Sequence, residues 1–522
     1  MTKPTLCFVL NGRPIELTGR DALLPLTVLL RERLGLTGTK VVCAEGDCGA
    51  CTVLLGRPQS GTGGEAGLDY RPIDACIYFA FQCHGAHVVT VEGLDVQQQG
   101  ETKALTVIQE SLVAGHGSQC GFCTPGIVMA LHGEVERGTV EHPLEEDNVR
   151  CALSGNLCRC TGYQQIMDAC SAVPHETIRR LSEVYDEQAI FRLLQQASHA
   201  ASLTIAVPHT EEALHDAVSQ NGVLPHWAED QALPTRDVCV HIPQTIDEAL
   251  AVREQQPGCL VIAGATDVGV WHNHGTPWPD HVLSLSLVQA ITECVEVDGG
   301  LSLGASATWD QVIRCIQDHY PAFVDILERF GSPQIREAGT IGGNIANGSP
   351  IADSLPFLFV VDAMIEAGSH QRGRRQIPIT AFYMDYKKNV LEPDELLLSI
   401  KLPTPAQDER LFLEKVSKRR DMDISTFTAG VKLKLSDDLF TIEDAAVAFG
   451  GVGPVVRRLS EVETALVGKP MTEATFFDAG RIAREAIRPI TDVRGHSDFR
   501  RQLAENILLK AYYSFATPEV VP

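Results

Sequence analysis

The alternation of apolar and polar positions divides the chain into stretches with different periods. TLCFVLNGRPIEL (5–17) reads as two short strands around an Asn-Gly turn, a strong short hairpin signal. TVLLRERLGL (27–36) has apolar residues at helical spacing and ends near Gly38, whereas TVLL (52–55) and HVVTVEGL (87–94) read as strands. Between these two strands, RPQSGTGGEAGLDYRP (57–72) reads as a flexible insert. From about residue 104 the period becomes 3.6. LTVIQESLVAG (105–115), GIVMALHGEVERG (126–138), EEDNVRCALSGN (145–156) and a segment after Thr161 predict a four-helix unit, with Pro125 suited to a first helical position. Residues 174–238 are less periodic and carry several prolines, so they are expected to connect domains. In the mixed α/β stretch that follows, TIDEALAVREQQPG (245–258) predicts a helix starting at Thr245 or Asp247. CLVIAGATDVGVW (259–271) predicts a buried strand ending in a glycine-containing turn, and a break at LPTPAQDER (402–410) precedes a last domain of strands and helices. The expected boundaries are 1–95, 96–173, 174–238, 239–404 and 405–522.

A chain of 522 residues is too long for one ordinary core, which agrees with three or four domains. Hydrophobic residues make up 44% and charged residues 21%, the composition of a soluble globular enzyme. No apolar run approaches the roughly 18 residues of a membrane span, and the longest, LPFLFVVDAMI from Leu355, is interrupted by Asp362. MTKPTLCFVLNGRPIEL has no basic region followed by a long apolar stretch and no twin arginine, so a cytoplasmic protein with reduced thiols is expected. A formal net charge of -24, without a basic stripe, argues against a nucleic-acid partner. The short basic stretches HQRGRRQ (370–376) and KVSKRRD (415–421) are solvated charge or phosphate contacts.

Of 16 cysteines, eight fall into two groups. Cys43, Cys48 and Cys51 give C-x4-C-x2-C in VCAEGDCGACTV, the plant-type [2Fe-2S] spacing, with Cys76 or Cys83 as a distant fourth ligand. Cys120 and Cys123 form a CxxC in QCGFCTPG, and Cys158 and Cys160 form a CxC in GNLCRCTGY. Soft thiolates suit cluster irons, and Gly46 and Gly49 let a tight loop wrap a charged centre and bring N–H groups near sulfur. Zinc is the alternative occupant, more so for the second group, and Cys151 is an alternative ligand there. The remaining cysteines read as small buried hydrophobes. Two glycine-rich turns beside apolar runs, AGATDVGV (263–270) and GTIGGNIANGSPIADSLP (339–356), allow close approach of backbone N–H groups to a pyrophosphate. Neither is GxGxxG, so a Rossmann dinucleotide site is unsupported.

In order and spacing, CAEGDCGACTV, VTVEGL, QCGFCTPGIVM and GNLCRCTGY resemble the two iron–sulfur domains of the xanthine oxidase family of molybdenum hydroxylases. The resemblance implies a multidomain α+β chain: a β-grasp, plant-ferredoxin-like [2Fe-2S] domain, a four-helix [2Fe-2S] domain, a vanillyl-alcohol-oxidase-type FAD domain and an α+β C-terminal domain. It implies that Cys43, Cys48, Cys51 and Cys76 bind one cluster and that Cys120, Cys123, Cys158 and Cys160 bind the other. Two departures are the 57–72 insert and the 34 residues between Cys123 and Cys158, both read as changes of loop length. For FAD it implies Val261, Ile262, Ala263, Gly264, Ala265, Thr266, Asp267 and Val268 in one loop. Phe330, Thr340, Gly343, Asn344, Asn347 and Asp353 form the second, and Lys415 is a looser match near the flavin. No catalytic side chain is assigned. The resemblance covers nearly the whole chain and stops where the family's large molybdopterin-binding portion begins. It therefore implies a small subunit with a molybdopterin-binding large subunit, as an α2β2 heterotetramer. Electrons from purine hydroxylation at molybdenum would pass through the second cysteine group, the first group and FAD to NAD+. Other implied readings are the same subunit of an aldehyde or N-heterocycle dehydrogenase, with dioxygen or a quinone as acceptor. A metal-binding maturation or scaffold protein without turnover is the rival from another class.

Overall fold

A computed structural model describes residues 5–60, 66–94, 105–138, 144–174, 177–198, 202–207 and 237–516. It is a multidomain mixture of α and β structure, as expected. Two compact units divide the chain, one formed by Met1–Gln289 with Ser332–Gly339, the other by Ala290–Gly331 with Thr340–Pro522.

The first unit opens with the hairpin of β1 (Leu6–Leu10) and β2 (Arg13–Leu17), turned by Asn11 and Gly12, both at positive φ. This is the backbone that a two-residue turn of this twist requires. With β3 (Thr52–Ser60), β4 (Ala66–Asp74) and β5 (His87–Val89) it makes a mixed sheet of order β2-β1-β5-β3-β4, in which β1 and β5 run parallel. The expected flexible insert is a correction. Over its described residues it extends β3 and β4, which pair continuously from Thr52 opposite Asp74 to Ser60 opposite Ala66. The ladder satisfies the backbone and the Tyr70 ring lies over Gly56, where no Cβ intervenes. Residues 61–65 of the insert lie outside the described residues.

Four helices follow: Val107–Ala114, Thr124–Arg137, Glu146–Ala152 and Gln164–Ser171. Thr106 caps the first by accepting the Gln109 N–H, an interaction worth about 1 kcal/mol. Pro125 stands in the first turn of the second, which ends at Gly138 in the left-handed region. Within 174–238, the described residues include the helix Glu187–Ser198 and β6 (Leu203–Val207), and most of the rest lies outside the described residues. β6 pairs antiparallel with β7 (Val238–Ile242) in a sheet of order β6-β7-β9-β8, with β8 at Leu260–Ile262 and β9 at His281–Ser284. The strand expected over 259–271 is a second correction, because only Leu260–Ile262 is extended and Val268–Asn273 is helical. The strand ends at Ile262, before Gly264, where a Cβ would meet the Ala338 carbonyl oxygen at 2.0 Å, and Ala265, whose φ is 63°.

The second unit holds a sheet of β10 (Cys294–Val297), β11 (Gly300–Gly304), β12 (Met364–Ser369), β13 (Gly373–Pro378) and β16 (Leu396–Pro403), in the order β10-β11-β16-β12-β13. β14 (Tyr383–Asp385) and β15 (Lys388–Asn389) form a small separate ladder. β17 (Glu409–Val416), β18 (Phe427–Leu435), β19 (Ile442–Gly450) and β20 (Arg457–Arg458) make an antiparallel sheet covered by the Glu473–Ala486 and Ser497–Ala516 helices. The basic stretch at 370–376 is engaged by carboxylates: Arg372 pairs with Asp394, Arg374 with Glu366 and Arg375 with Glu395.

Buried histidines mark the core of the first unit. His87 accepts the Gly12 N–H on Nε2 at 3.1 Å, which leaves Nδ1 to donate to the Tyr70 hydroxyl at 2.7 Å. Burial pushes His87 down to about 3 and His132 down to about 4, and it lowers His84 and His272. A histidine lowered in the folded state contributes its full stability above its unfolded value, near 6.5, and loses it as pH falls toward the folded value. Each unit of displacement is worth about 1.4 kcal/mol. The urea midpoint of the first unit should therefore fall steadily between pH 7 and pH 4, with a shallower fall in His87→Asn. A midpoint independent of pH would contradict this assignment.

Candidate cofactor sites

Cys43, Cys48 and Cys51 of the first group lie in the loop before β3, where Ala44, Gly46 and Gly49 all take positive φ, and Cys76 follows β4. The loop folds back on Cys43, whose Sγ accepts the N–H groups of Glu45 and Asp47, each at 3.4 Å. The Cys48 and Cys76 thiols hydrogen-bond to Cys43 and, with those N–H groups, hold it well below the usual thiol range. Cys48, as the donor to Cys43, is pushed upward. Cys51 neighbours Cys76 and donates to Asp74 Oδ1 at 3.4 Å. Cys83 bonds to the Phe79 carbonyl at 3.9 Å instead, and burial pushes it up to about 12. Cys76, not Cys83, therefore stands with Cys43, Cys48 and Cys51.

In the second group the thiols also stand in pairs: Cys120 beside Cys160, and Cys123 beside Cys158. Cys123 is the residue before the Thr124–Arg137 helix, so its place is fixed by the helix start. Cys158 lies 3.2 Å from the Thr161 hydroxyl, and its N–H donates to the Tyr163 hydroxyl at 2.8 Å. Burial raises the Cys158 thiol, but the Thr161 hydroxyl and N–H outweigh it and the net direction is downward. Cys151 sits exposed in the Glu146–Ala152 helix. Both groups fit a two-iron centre, since each offers two thiol pairs and only soft sulfur donors. Among the described residues no three such side chains converge to hold a single metal ion.

The two cysteine loops are joined directly. The Leu157 N–H donates to the Cys48 carbonyl at 3.0 Å, and Asn156 Nδ2 donates to the Gly49 carbonyl at 3.0 Å. Gly126 on the Thr124–Arg137 helix lies so near that a Cβ would meet the Gly49 oxygen at 2.1 Å.

The two glycine-rich turns fall in different units. In the first unit, Val261 and Ile262 end β8, and the Ala263 carbonyl accepts Gln82 Nε2 at 3.1 Å. Ala265 carries the left-handed turn, and Thr266, Asp267 and Val268 lead into the Val268–Asn273 helix. The Asn273 amide at the end of that helix donates to the carbonyls of Ala44 (2.7 Å) and Cys76 (2.9 Å), within the first cysteine group. In the second unit, Thr340 caps the Ile341–Asn347 helix by accepting the Gly343 N–H at 3.1 Å. Asn344 Oδ1 accepts the Ser354 hydroxyl at 2.6 Å, and Asn347 closes the helix. Phe330 packs on Trp309 with ring centroids 5.1 Å apart. Asp353 is 9% exposed and Lys415 5%. They form a 2.7 Å ion pair, Lys415 also donates to the Arg329 carbonyl at 2.9 Å, and Ser425 donates to the other Asp353 oxygen at 2.5 Å. The first turn of the Ile341–Asn347 helix has no acidic side chain, which fits an anionic cofactor group. Gln82, Asn156, Asn273, Gln334 and Ser425 were missed by sequence reasoning. Only Ser425 carried a signal, as the end of EKVSKRRDMDIS (414–425), the string that contains Lys415.

Comparison with known proteins decides the family. Residues 90–171 match the [2Fe-2S] binding domain, residues 236–405 the FAD binding domain in molybdopterin dehydrogenase, and residues 413–515 the CO dehydrogenase flavoprotein C-terminal domain. The chain carries the domain set of the xanthine oxidase family of molybdenum hydroxylases. The matched models are those of [2Fe-2S]- and FAD-binding domains. The chain is 29% identical to xanthine dehydrogenase of Drosophila subobscura, over 98% of this chain and 39% of that protein. It is also 29% identical to aldehyde oxidase 1 of Bos taurus, over 97% of this chain and 39% of that protein. The chain thus spans about two fifths of the length of these relatives. Carbon monoxide dehydrogenase from Hydrogenophaga pseudoflava shares the fold over 53% of this chain and 96% of that one, with a TM-score of 0.50 and 24% identity.

The junction yields a stability prediction. Gly126→Ala should cost about 1–3 kcal/mol, because the new methyl meets backbone that cannot yield without moving the Cys48 loop. Gly258→Ala, where nothing lies within 4 Å, should change stability by less than about 0.5 kcal/mol. Thermal melting and iron content of the two variants check this, and equal melting would contradict the packing.

Proposed function

We propose that this chain is the electron-transfer subunit of a xanthine dehydrogenase, working with a molybdopterin-binding large subunit during oxidation of hypoxanthine and xanthine to urate. Cys43, Cys48, Cys51 and Cys76 hold one [2Fe-2S] cluster and Cys120, Cys123, Cys158 and Cys160 the other. Val261–Val268, Phe330, Thr340, Gly343, Asn344, Asn347, Asp353 and Lys415 hold FAD. When bound, these groups supply a one-electron relay and its conversion into hydride delivery to NAD+.

The observation that carries the reading is the pair of four-cysteine groups joined through the Leu157–Cys48 hydrogen bond. The protein's own part is to fix distance and charge. The Glu45 and Asp47 N–H groups direct positive dipole at Cys43, and Thr161 does the same at Cys158. Lys415, buried and paired with Asp353, fixes the place of both side chains on the flavin segment of its unit. The second cysteine group supports a partner subunit: Cys120 and Cys160 are exposed, beside Phe122 (47% exposed) and Leu157 (53%) in the sequence.

Equal identity to an aldehyde oxidase favours a second reading, the same subunit in an aldehyde- or N-heterocycle-oxidising enzyme, with dioxygen or a quinone in place of NAD+. The purified chain alone should reduce an artificial dye with NADH and fail to oxidise hypoxanthine. The complex purified with its large subunit should reduce NAD+ with xanthine. Dye reduction by NADH without NAD+ reduction by xanthine would favour a different substrate, no dye reduction by NADH would favour a different acceptor, and hypoxanthine turnover by the isolated chain would contradict both readings.

A further inference from the structure

The helix Pro333–Ala338 belongs to the stretch that matches the FAD binding domain, yet it is part of the first unit. Glu337 on this helix pairs with Arg137 at 2.8 Å, Ile335 packs toward Gly46, and the Ala338 carbonyl touches Gly264. One short helix thus reaches the helical domain, the first cysteine loop and the first flavin segment.

Its Gln334 is 1% exposed and closes a ring of hydrogen bonds. The Nε2 amide donates to Thr52 Oγ1 at 3.1 Å and to Asn156 Oδ1 at 2.9 Å. Both acceptors then point their own hydrogens at one atom: the Thr52 hydroxyl donates to the Gly49 carbonyl at 2.7 Å, and Asn156 Nδ2 donates to it at 3.0 Å. The direction of every bond follows from Gln334. An amide nitrogen only donates, so Thr52 must send its proton onward, and Asn156 must turn its oxygen to Gln334 and its nitrogen to Gly49. Rotating the Gln334 amide would set the Asn156 oxygen against the Gly49 oxygen.

The ring brackets a direct connection between the two cysteine groups. Gly49 follows Cys48, Asn156 precedes Leu157, and the Leu157 N–H to Cys48 carbonyl bond at 3.0 Å leads directly to Cys158. A cysteine of one group is therefore linked by a single peptide hydrogen bond to the residue before a cysteine of the other, with Gly49 and Asn156 clamped next to the bonded residues. We propose that Gln334 is a positioning residue that sets the electronic coupling of the two iron–sulfur centres by holding this bridge. The proposal rests on the reading of the eight cysteines as ligands of two [2Fe-2S] clusters.

Low-temperature electron paramagnetic resonance of the fully reduced full-length chain tests it. The native protein should show two iron–sulfur signals with a magnetic splitting between them. Gln334→Met should keep the iron and sulfide content and both signals but lose the resolved splitting. Thr52→Val, isosteric and breaking the ring at its next link, should weaken the splitting in the same direction. It decides the question if Gln334→Met does not retain its iron. Full iron content with unchanged splitting in Gln334→Met would overturn the proposal, as would unchanged splitting in Thr52→Val where Gln334→Met loses its iron. A native protein without two iron–sulfur signals would overturn the ligand reading itself, and the proposal with it.

Discussion

Two four-cysteine groups proposed to hold two metal centres keep a fixed spacing only if the backbone between their loops is tied down. The bond from the Leu157 N–H to the Cys48 carbonyl is that tie, because it joins the loops one residue from Cys158 and at Cys48 itself. Around it, side chains from β3 and from the segment before Cys158 donate to the Gly49 carbonyl, and Gln334 on the Pro333–Ala338 helix donates to both of them. These polar groups are fully buried, where an unmet donor or acceptor costs about 1–3 kcal/mol. The ring therefore tolerates few alternative geometries. Gly49 and Gly126 contribute by having no side chain where the loop and the helix approach.

The second unit uses a buried ion pair for a similar purpose. Asp353 and Lys415 come from distant strings and meet with Ser425 and the Arg329 carbonyl around them. Such a pair contributes little net stability, since desolvation offsets much of the attraction, but losing one partner leaves a buried charge exposed to a cost of about 3–5 kcal/mol. It therefore fixes where two flavin-assigned side chains stand more than it strengthens the fold.

Much of this was legible in the sequence, for a physical reason. Cluster ligands within one loop must be close in sequence, so the spacings of Cys43, Cys48 and Cys51 and of Cys120 and Cys123 are visible in the chain. The choice of Cys76 over Cys83 was not visible in spacing, because it depends on which cysteine the strand end at Asp74 turns toward the loop. Residues 259–271 read as a strand because a short buried apolar run has no period to separate strand from helix. The glycine-rich stretch at 57–72 read as flexible because composition does not reveal a partner strand. Gln334 was beyond reach, since its partners Asn156 and Thr52 are 178 and 282 residues away and it belongs to no local pattern.

The central claim is that eight cysteines form two binuclear sites joined through one backbone bond. Mössbauer spectroscopy of the purified chain grown with 57Fe tests it most directly. About four irons per chain should appear as two diamagnetic pairs of ferric ions, each becoming one ferric and one ferrous ion on reduction. A mononuclear iron spectrum, or zinc in place of iron, would contradict the account.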